Sequence, residues 1–434
     1  MSARPATSNA AVVVEGPRLS AGAQRALREA WSALWTSRAI VWTAGILGVL
    51  WFGRVPNSER FDLVGVTHGT TAFNDLLAAP AARWDAVWYL AIARDGYHHD
   101  PNTLRDAFYP LYPLLIHVGN WVLGSRMLVA ILISLGCFLV ALALLYRLTE
   151  LELGAEDARS TLLLLAFFPS AFIFSAIYTE SLFLLLSVGA FLAARQGRWA
   201  WAGIAGGLAA LTRNSGIVVL VPLLVLFLYG PRTDREPDVT SGPRWRPRYR
   251  LSRQLLWLAL VPLGLAAFLG FSAITFHDAF VPFHVERLWY RHFQLLGGVT
   301  GGAKAAWHTL RDLVDSKGPA YDPGSGGVAL HFAGQDLVLF GFLVFALVGF
   351  AGVLRRLPLA YGAYVGVALL GTLSYPSTVQ PLESFPRYMV VLFPLQMWLA
   401  RWCGERGRVA RAVGISGVLL GVLAAQWSRW ALVL

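Results

Sequence analysis

The sequence predicts an all-α protein that crosses a membrane many times, and three observations lead to this fold class. Hydrophobic residues make up 56% of the 434 residues and charged residues 14%, whereas soluble proteins average roughly 45–50% and 25%. Apolar stretches of membrane-spanning length recur from Ala39 to the C-terminus. A cluster of arginines separates two of these stretches, as is typical of a cytoplasmic loop. This composition excludes an ordinary soluble globular protein and a disordered chain.

We predict about eleven spans, within a range of about 10–12, because a helix needs roughly 20 apolar residues to cross a bilayer. Several stretches are shorter, so their ends are approximate. The predicted spans are 39–53, 127–146, 161–177, 181–195, 199–212, 214–230, 254–274, 336–354, 357–375, 387–402 and 412–430.

Arginine distribution sets the predicted orientation. All but Lys304 and Lys317 of the 36 basic residues are arginine, and seven arginines lie between Arg232 and Arg253. The positive-inside rule therefore places loop 231–253 in the cytoplasm, together with the N-terminal segment 1–38, which has no signal-peptide core. The net charge of +11 then reflects topology and contact with anionic lipid, and not nucleic-acid binding.

Residues 107–124 are apolar enough to cross, but crossing would move the basic loop to the other side. We therefore predict a helix in the outer interface, interrupted by Pro110 and Pro113. Residues 39–434 then form one transmembrane domain, with its active-site face built by outer loops 54–126 and 275–335. All nine histidines lie in these loops, which indicates either a reaction site there or simply long polar loops.

The segment 83–97 is the richest in side chains that could carry chemistry. Trp84, Trp88 and Ile92 form one apolar stripe at helical spacing, typical of a helix at the lipid headgroups. Asp85 lies at the edge of this stripe, close to Tyr89 on the next turn. A partly desolvated carboxylate there makes a useful general base, although Asp85 could instead cap the helix.

Five sequence blocks resemble, in order, those of the GPI mannosyltransferase 2 (PIG-V) family of the GT-C superfamily of membrane glycosyltransferases. The blocks are WDAVWYLAIARDGY (84–97), AFYPLYPLL (107–115), FFPSAFIFSAIYTESLFLL (167–185), LAALTRNSG (208–216) and SFPRYMVVLFPL (384–395). The excess of arginine over lysine suggests a bacterial homologue, for which a GPI acceptor is not expected.

The resemblance implies a GT-C type helical bundle in the cell membrane, with interfacial helices in the first outer loop. It also implies an enzyme that transfers a hexose, with mannose the first expectation, from a polyprenyl-phosphate-linked donor to a glycolipid, polysaccharide or protein acceptor. Transfer would invert the sugar on the extracytoplasmic face, with Asp85 as general base. A transporter or flippase of lipid-linked sugars, or a non-catalytic subunit of a glycosylation complex, remains the alternative.

Two arginines at span ends are candidates for binding the donor phosphate. Arg213 and Arg387 could each grip it in bidentate fashion. The alternatives are a side chain that snorkels from a helix end to water, and for Arg387 a simple pair with Glu383.

A further group of candidates would contact the acceptor or support the site. Glu180 is included because a carboxylate so close to hydrocarbon is costly. The group consists of Trp84, Tyr89, Asp106, Tyr178, Glu180 and Asn214.

No cofactor is predicted with certainty. His98, His99 and Asp100 could bind a divalent cation, but their spacing matches no known metal template. Cys137 and Cys403 give no disulfide framework. Gly203 and Gly207 form a GxxxG pattern, which predicts a close contact between helices.

Overall fold

The computed structural model describes residues 20–55, 58, 62, 66–67, 71–97, 104–239, 246–315 and 328–431, with the backbone alone for 328–333. Within these ranges the regular structure is helical, apart from one antiparallel bridge between Arg291 and Ser377, so the all-α prediction is confirmed. The α-helices are α1 (Ala21–Phe52), α2 (Ala72–Ala78), α3 (Ala86–Asp95), α4 (Leu111–Leu123), α5 (Arg126–Leu153), α6 (Ala155–Ala166), α7 (Glu180–Arg195), α8 (Trp199–Ala210), α9 (Leu220–Tyr229), α10 (Leu260–Phe276), α11 (Val281–His284), α12 (Gly297–Asp315), α13 (Val328–Arg356), α14 (Leu359–Leu373), α15 (Phe385–Val390), α16 (Pro394–Gly404) and α17 (Val409–Ser428).

Several of these helices are long and apolar enough to cross a membrane. Among the described residues the candidate spans are Ala21–Phe52, Arg126–Leu153, Arg253–Phe276, Gly334–Arg356 and Val409–Ser428. The third joins α10 to the 3-10 helix Arg253–Ala259 before it, and the fourth is the part of α13 from Gly334 onward. Shorter apolar helices at Leu111–Leu123, Asn214–Tyr229 and Leu359–Leu373 accompany them. The chain is a multi-pass membrane protein, and the figure of about eleven spans stays a prediction.

Helix α1 begins well before the predicted span at 39–53. Ser20 caps its first turn by accepting a hydrogen bond from the amide of Ala23 (3.3 Å). The buried residues Ala26, Ala30, Ala33 and Leu34 continue the packed face at helical spacing. Residues 21–38, predicted to lie outside the transmembrane domain, therefore extend the same helix.

Polar contacts place the ends of several helices, together with the basic loop, at one end of the bundle. Arg195 at the end of α7 pairs with Glu152 at the end of α5, and its Nη1 donates to the carbonyl oxygen of Pro231 (2.9 Å). Arg401 and Asp157, and Arg356 and Glu405, join further helix ends in the same way. We call this the loop end of the bundle. The opposite end is called the cavity end, after the large cavity described below.

The predicted span 161–177 is interrupted. Helix α6 ends at Ala166, ahead of Pro169, whose ring cannot continue a helix and which restricts the residue before it. The freed carbonyl groups are satisfied by Arg38 of α1, which donates to Ala166 O (3.1 Å) and Ala171 O (2.9 Å). The break is thus closed by protein and does not line the large cavity described below.

The GxxxG pattern makes the close helix contact that it predicts. A Cβ atom at Gly203 would lie 2.1 Å from the carbonyl oxygen of Trp257, and one at Gly207 would lie 2.7 Å from that of Leu260. Only glycine therefore allows α8 to approach this segment and α10 so closely.

Helix α4 lies within the segment 54–126, which was predicted to be an outer loop. The amide of Leu111 donates to Leu211 O (3.1 Å) and Tyr112 donates to Ala130 O (3.0 Å), so α4 lies against the first turns of α5. Trp121 and Val122 expose most of their surface, which suits a helix that turns one apolar face toward lipid.

Candidate active site

Asp85 occupies the N-cap position of α3 but does not act as a cap. Its side chain makes no capping hydrogen bond, although Asp is among the best capping residues. The preceding Trp84 has a φ of 51°, which is unusual for a bulky residue and costs conformational energy. This turn directs the Asp85 carboxylate away from the helix amides.

The Asp85 carboxylate faces Arg387 of α15 instead. Arg387 Nη1 donates to Asp85 Oδ2 (2.6 Å), and its Nη2 donates to the Tyr388 hydroxyl (3.1 Å). The backbone amide of Asp85 donates to the Tyr178 hydroxyl (2.9 Å). Asp85 Oδ1 forms no hydrogen bond with any described residue, and Asp85 lines the large cavity described below. The alternative pair of Arg387 with Glu383 is not formed, because Arg387 pairs with Asp85.

Arg213 forms a second ion pair at the same end. Its Nη1 lies 3.4 Å from Glu180 Oε1, and the two side chains are 9% and 2% exposed. The guanidinium lies over the rings of Phe183 (5.3 Å) and Tyr388 (5.0 Å). Arg213 therefore points into the protein, unlike a side chain that snorkels to water.

These residues surround a cavity of about 1150 Å³. Its wall includes most of the candidates predicted from sequence, which come from four separate parts of the chain. They are Trp84, Asp85, Tyr89, Tyr178, Glu180, Arg213, Asn214 and Arg387.

The remaining candidates do not join this group. Asp106 is fully buried in the turn Arg105–Ala107 and does not line the cavity, so of its two predicted roles, contact with the acceptor or support of the site, only support suits this position. Its neighbours Leu104 and Ala107 take the wall position. His98, His99 and Asp100 lie outside the described residues. Within the described part of the chain, no cluster of three or more His, Cys, Asp or Glu could hold a metal ion.

The segment 275–335 supplies wall residues that the sequence motifs did not identify. Asn214 Nδ2 donates to Glu286 Oε1 (2.8 Å), and Arg291 lies 5.8 Å from the centre of the Tyr388 ring. Burial raises the pKa of Glu286, an effect that the charge of Arg291 and the Asn214 hydrogen bond partly offset. A dense run of charged and aromatic residues, VERLWYRH at 285–292, was the available signal.

Aromatic rings form much of the rest of the wall. Trp88, Trp289 and Trp427 line it, and Phe108 lies between Trp88 (6.3 Å) and Trp289 (6.1 Å). A cavity with apolar rings and a few convergent polar groups is typical of a small-molecule site.

Comparison with known proteins finds a family that is similar to this region. Residues 67–225 match the family model for mannosyltransferase (PIG-V). Over these residues the chain is PIG-V-like, that is, similar to that family. The matched residues carry four of the five blocks noted above and include Asp85, Glu180 and Arg213, whereas Arg387, Glu286 and Arg291 lie beyond them.

Curated proteins match part of the chain as well. The PIG-V-like chain is 33% identical over 156 residues to GPI alpha-1,6-mannosyltransferase 2 of Mus musculus, covering 33% of this chain and 31% of that one. It is 30% identical over 185 residues to the protein of the same name from Rattus norvegicus, covering 36% and 37%. The match thus spans about a third of the length of these relatives.

Among solved structures, the PIG-V-like chain is similar to the Archaeoglobus fulgidus oligosaccharyltransferase in complex with Zn and sulfate. The TM-score is 0.40 at 16% identity, covering 90% of this chain and 53% of that one. For oligosaccharyltransferase AglB of the same organism, in complex with an inhibitory peptide and a dolichol-phosphate, the TM-score is 0.41 at 15% identity, covering 91% and 56%.

Proposed function

We propose that this chain is a membrane mannosyltransferase. It takes mannose from a polyprenyl-phosphate carrier and transfers it with inversion to an acceptor hydroxyl. Mannose as the sugar is supported by the family model and by the names of the curated relatives. The cavity supports a site that holds a sugar, because it combines aromatic walls with carboxylates and arginines.

The observation that carries the proposal is the environment of Asp85. One carboxylate oxygen accepts a hydrogen bond from Arg387, the other has no hydrogen-bond partner among the described residues, and Asp85 lines the cavity. The charge-assisted bond fixes the orientation of the carboxylate, so that its second oxygen is placed to meet an acceptor hydroxyl.

The reaction follows from these positions. The acceptor oxygen attacks the anomeric carbon of the mannose, and its proton passes to Asp85 Oδ1. The bond between the anomeric carbon and the phosphate oxygen breaks, and its electron pair leaves with the polyprenyl phosphate. A single displacement of this kind inverts the anomeric configuration. The leaving phosphate needs a nearby cation, and the arginines of the cavity supply that charge.

The membrane face follows from the charge bias. The cavity lies at the end of the bundle opposite the loop that contains Arg232–Arg253, which the positive-inside rule assigns to the cytoplasm. We therefore place the reaction on the extracytoplasmic face and the N-terminus in the cytoplasm.

The test is a transfer assay with purified protein in nanodiscs. Polyprenyl-phosphate-mannose is offered with glycolipid, polysaccharide and peptide acceptors, and mass spectrometry follows both the glycosylated product and the free polyprenyl phosphate. We expect release of the carrier with the wild type and its loss in Asp85→Asn. Parallel reactions contain polyprenyl-phosphate-glucose, a nucleotide-linked mannose, or a chelator that removes divalent cations.

Two results would contradict the proposal. One is transfer from the nucleotide-linked mannose without turnover of the lipid-linked donor. The other is movement of intact polyprenyl-phosphate-mannose between leaflets of sealed vesicles without cleavage, which would indicate a flippase.

A further inference from the structure

We propose that Arg291 is the residue that binds the phosphate of the lipid-linked donor. The inference rests on the proposed function and extends it, because the motif blocks pointed only to Arg213 and Arg387. Three guanidinium groups surround one aromatic ring in the cavity. Those of Arg213, Arg291 and Arg387 lie 5.0, 5.8 and 5.0 Å from the centre of the Tyr388 ring.

Two of these three cations already face carboxylates. Arg387 bonds to Asp85 (2.6 Å), and Arg213 lies 3.4 Å from Glu180. A phosphate that bound to either arginine would have to compete with its carboxylate, or would meet that carboxylate's negative charge at short range. Both pairs therefore suit the positioning of Asp85 and Glu180 better than the capture of a new anion.

Arg291 forms no such ion pair among the described residues. Its hydrogen bonds go to backbone carbonyls, from Nη2 to Glu383 O (2.9 Å) and from Nη1 to Tyr375 O (3.3 Å). Neutral acceptors orient the guanidinium. Glu286 is near enough for the charge of Arg291 to act on its pKa, but the hydrogen bond of Glu286 goes to Asn214, so Arg291 has no bonded counter-ion among the described residues. A guanidinium has five N–H donors, so three remain for the bidentate geometry that phosphate favours.

Backbone pairing holds Arg291 in place. It forms the antiparallel bridge with Ser377, and neighbouring hydrogen bonds run from Thr378 N to Tyr290 O (3.0 Å) and from His292 N to Pro376 O (3.3 Å). A rigidly supported cation loses little conformational entropy when it binds a ligand.

Arg287 also lines the cavity without an ion pair among the described residues, but its side chain is exposed and forms no hydrogen bond with them. Arg287 is therefore not held in place as Arg291 is.

The experiment compares two lipids that differ only in the phosphate. Binding of a short-chain polyprenyl phosphate and of the matching polyprenol to detergent-solubilised protein is measured, and the ratio of affinities gives the phosphate preference. We expect Arg291→Gln to reduce this preference by about tenfold or more, because a charged hydrogen-bonding partner is lost. Polyprenol binding should not change.

Arg311→Gln is the matched control, since it removes the same charge from the exposed surface of α12, where Arg311 pairs with Asp315. It should keep the full preference. If Arg291→Gln is not monodisperse, Arg291→Lys decides the matter. Lysine lacks the planar fork, so the preference should fall several-fold.

The outcomes separate the two proposals. An unchanged phosphate preference in a folded Arg291 variant would overturn the role of Arg291 and leave the proposed function standing. A wild type that binds the phosphate and the alcohol equally would contradict the polyprenyl-phosphate donor itself, and Arg291 with it.

Discussion

At the level of single residues, Asp85 lies at a helix-capping position but does not cap the helix. Sequence left two roles open for it, a helix cap or a general base. It does lie at the N-cap position of α3, yet its carboxylate bonds to Arg387 and not to the helix amides. The pairing joins residues 302 positions apart, which no local pattern could have revealed.

Asp85→Asn separates the two roles. Asn caps helices about as well as Asp, so a capping role predicts normal turnover. A general base predicts a fall in transfer rate on the order of 10²–10⁴, because the amide cannot accept the proton. Transfer rate, donor affinity and monodispersity in detergent are measured on the same variant.

Ser125 provides the matched control, since its side chain does cap α5 by accepting a hydrogen bond from Leu128 N (3.4 Å). Ser125→Ala should lower stability by about 1 kcal/mol and leave turnover within a few-fold of wild type. A folded Asp85→Asn variant with near-normal turnover would remove Asp85 as the base.

Glu286 leads to a prediction about pH. Burial holds its folded-state pKa above the ordinary value of 4.5, so the folded protein binds more protons than the unfolded one just above pH 4.5. Stability should therefore fall as pH rises from the unfolded pKa through the folded one. The melting temperature of Glu286→Gln, followed by tryptophan fluorescence, should lack this decline.

Glu236→Gln is the control for that titration, because Glu236 is exposed on the loop between α9 and α10. Its melting temperature should decline with pH as the wild type does. A decline of the same size in Glu286→Gln would show that another group causes it.

At the level of elements, the sequence predicted helices and their contacts well where a single sequence pattern was clear. It predicted them less well where packing against other helices determines the bounds or the burial of a helix. The GxxxG pattern gave the correct close approach of α8 and α10, because small residues at this spacing let two helix backbones come together. The bounds of α1 were missed, because residues 21–38 are polar enough to resemble a tail and are held as helix by packing. Burial of α3 on nearly all sides likewise exceeds what its single aromatic stripe predicts.

Gly203→Val tests the contact between α8 and the segment before α10. The added side chain would collide with the Trp257 carbonyl, which belongs to the backbone and cannot rotate away. We expect a loss of about 1–3 kcal/mol in stability, read as a lower melting temperature in detergent.

Gly270→Ala is the control within the partner helix, because a Cβ atom there meets nothing within 4 Å. It should be neutral or slightly stabilising, since alanine favours the helix more than glycine does. If Gly203→Val melts at the same temperature as Gly270→Ala, the two segments are not in close contact in the membrane.

At the level of the whole molecule, the ordered motif blocks predicted most of the site because they fall at helix ends that the bundle brings together. Asp85, Glu180, Arg213 and Arg387 meet at one cavity. Glu286 and Arg291 were missed because they belong to the segment 275–335, which contains no recognisable block. Their place depends on the backbone pairing of 290–294 with 374–378, a long-range contact that local spacing does not encode.

The orientation of the bundle gives the last prediction. Contacts place loop 231–253 and the cavity at opposite ends, and the seven arginines of that loop indicate which end is cytoplasmic. Single cysteines are introduced into a variant without Cys137 and Cys403, at Glu236 on the loop end or at Lys304 on α12. Helix α12 lies by the cavity, because its Gly302 packs against Leu382, the neighbour of the wall residue Glu383. Both positions are exposed; Ser241 is less suitable, because it lies outside the described residues.

A membrane-impermeant maleimide should label the Lys304→Cys variant in intact cells. The Glu236→Cys variant should react only after the membrane is permeabilised, because the bilayer separates its thiol from the reagent. The reverse pattern would put the cavity on the cytoplasmic face, where the donor and acceptor would have to be sought instead. Labelling of both variants from outside would mean that the segment Arg253–Phe276 does not cross the membrane, and the predicted number of spans would have to change.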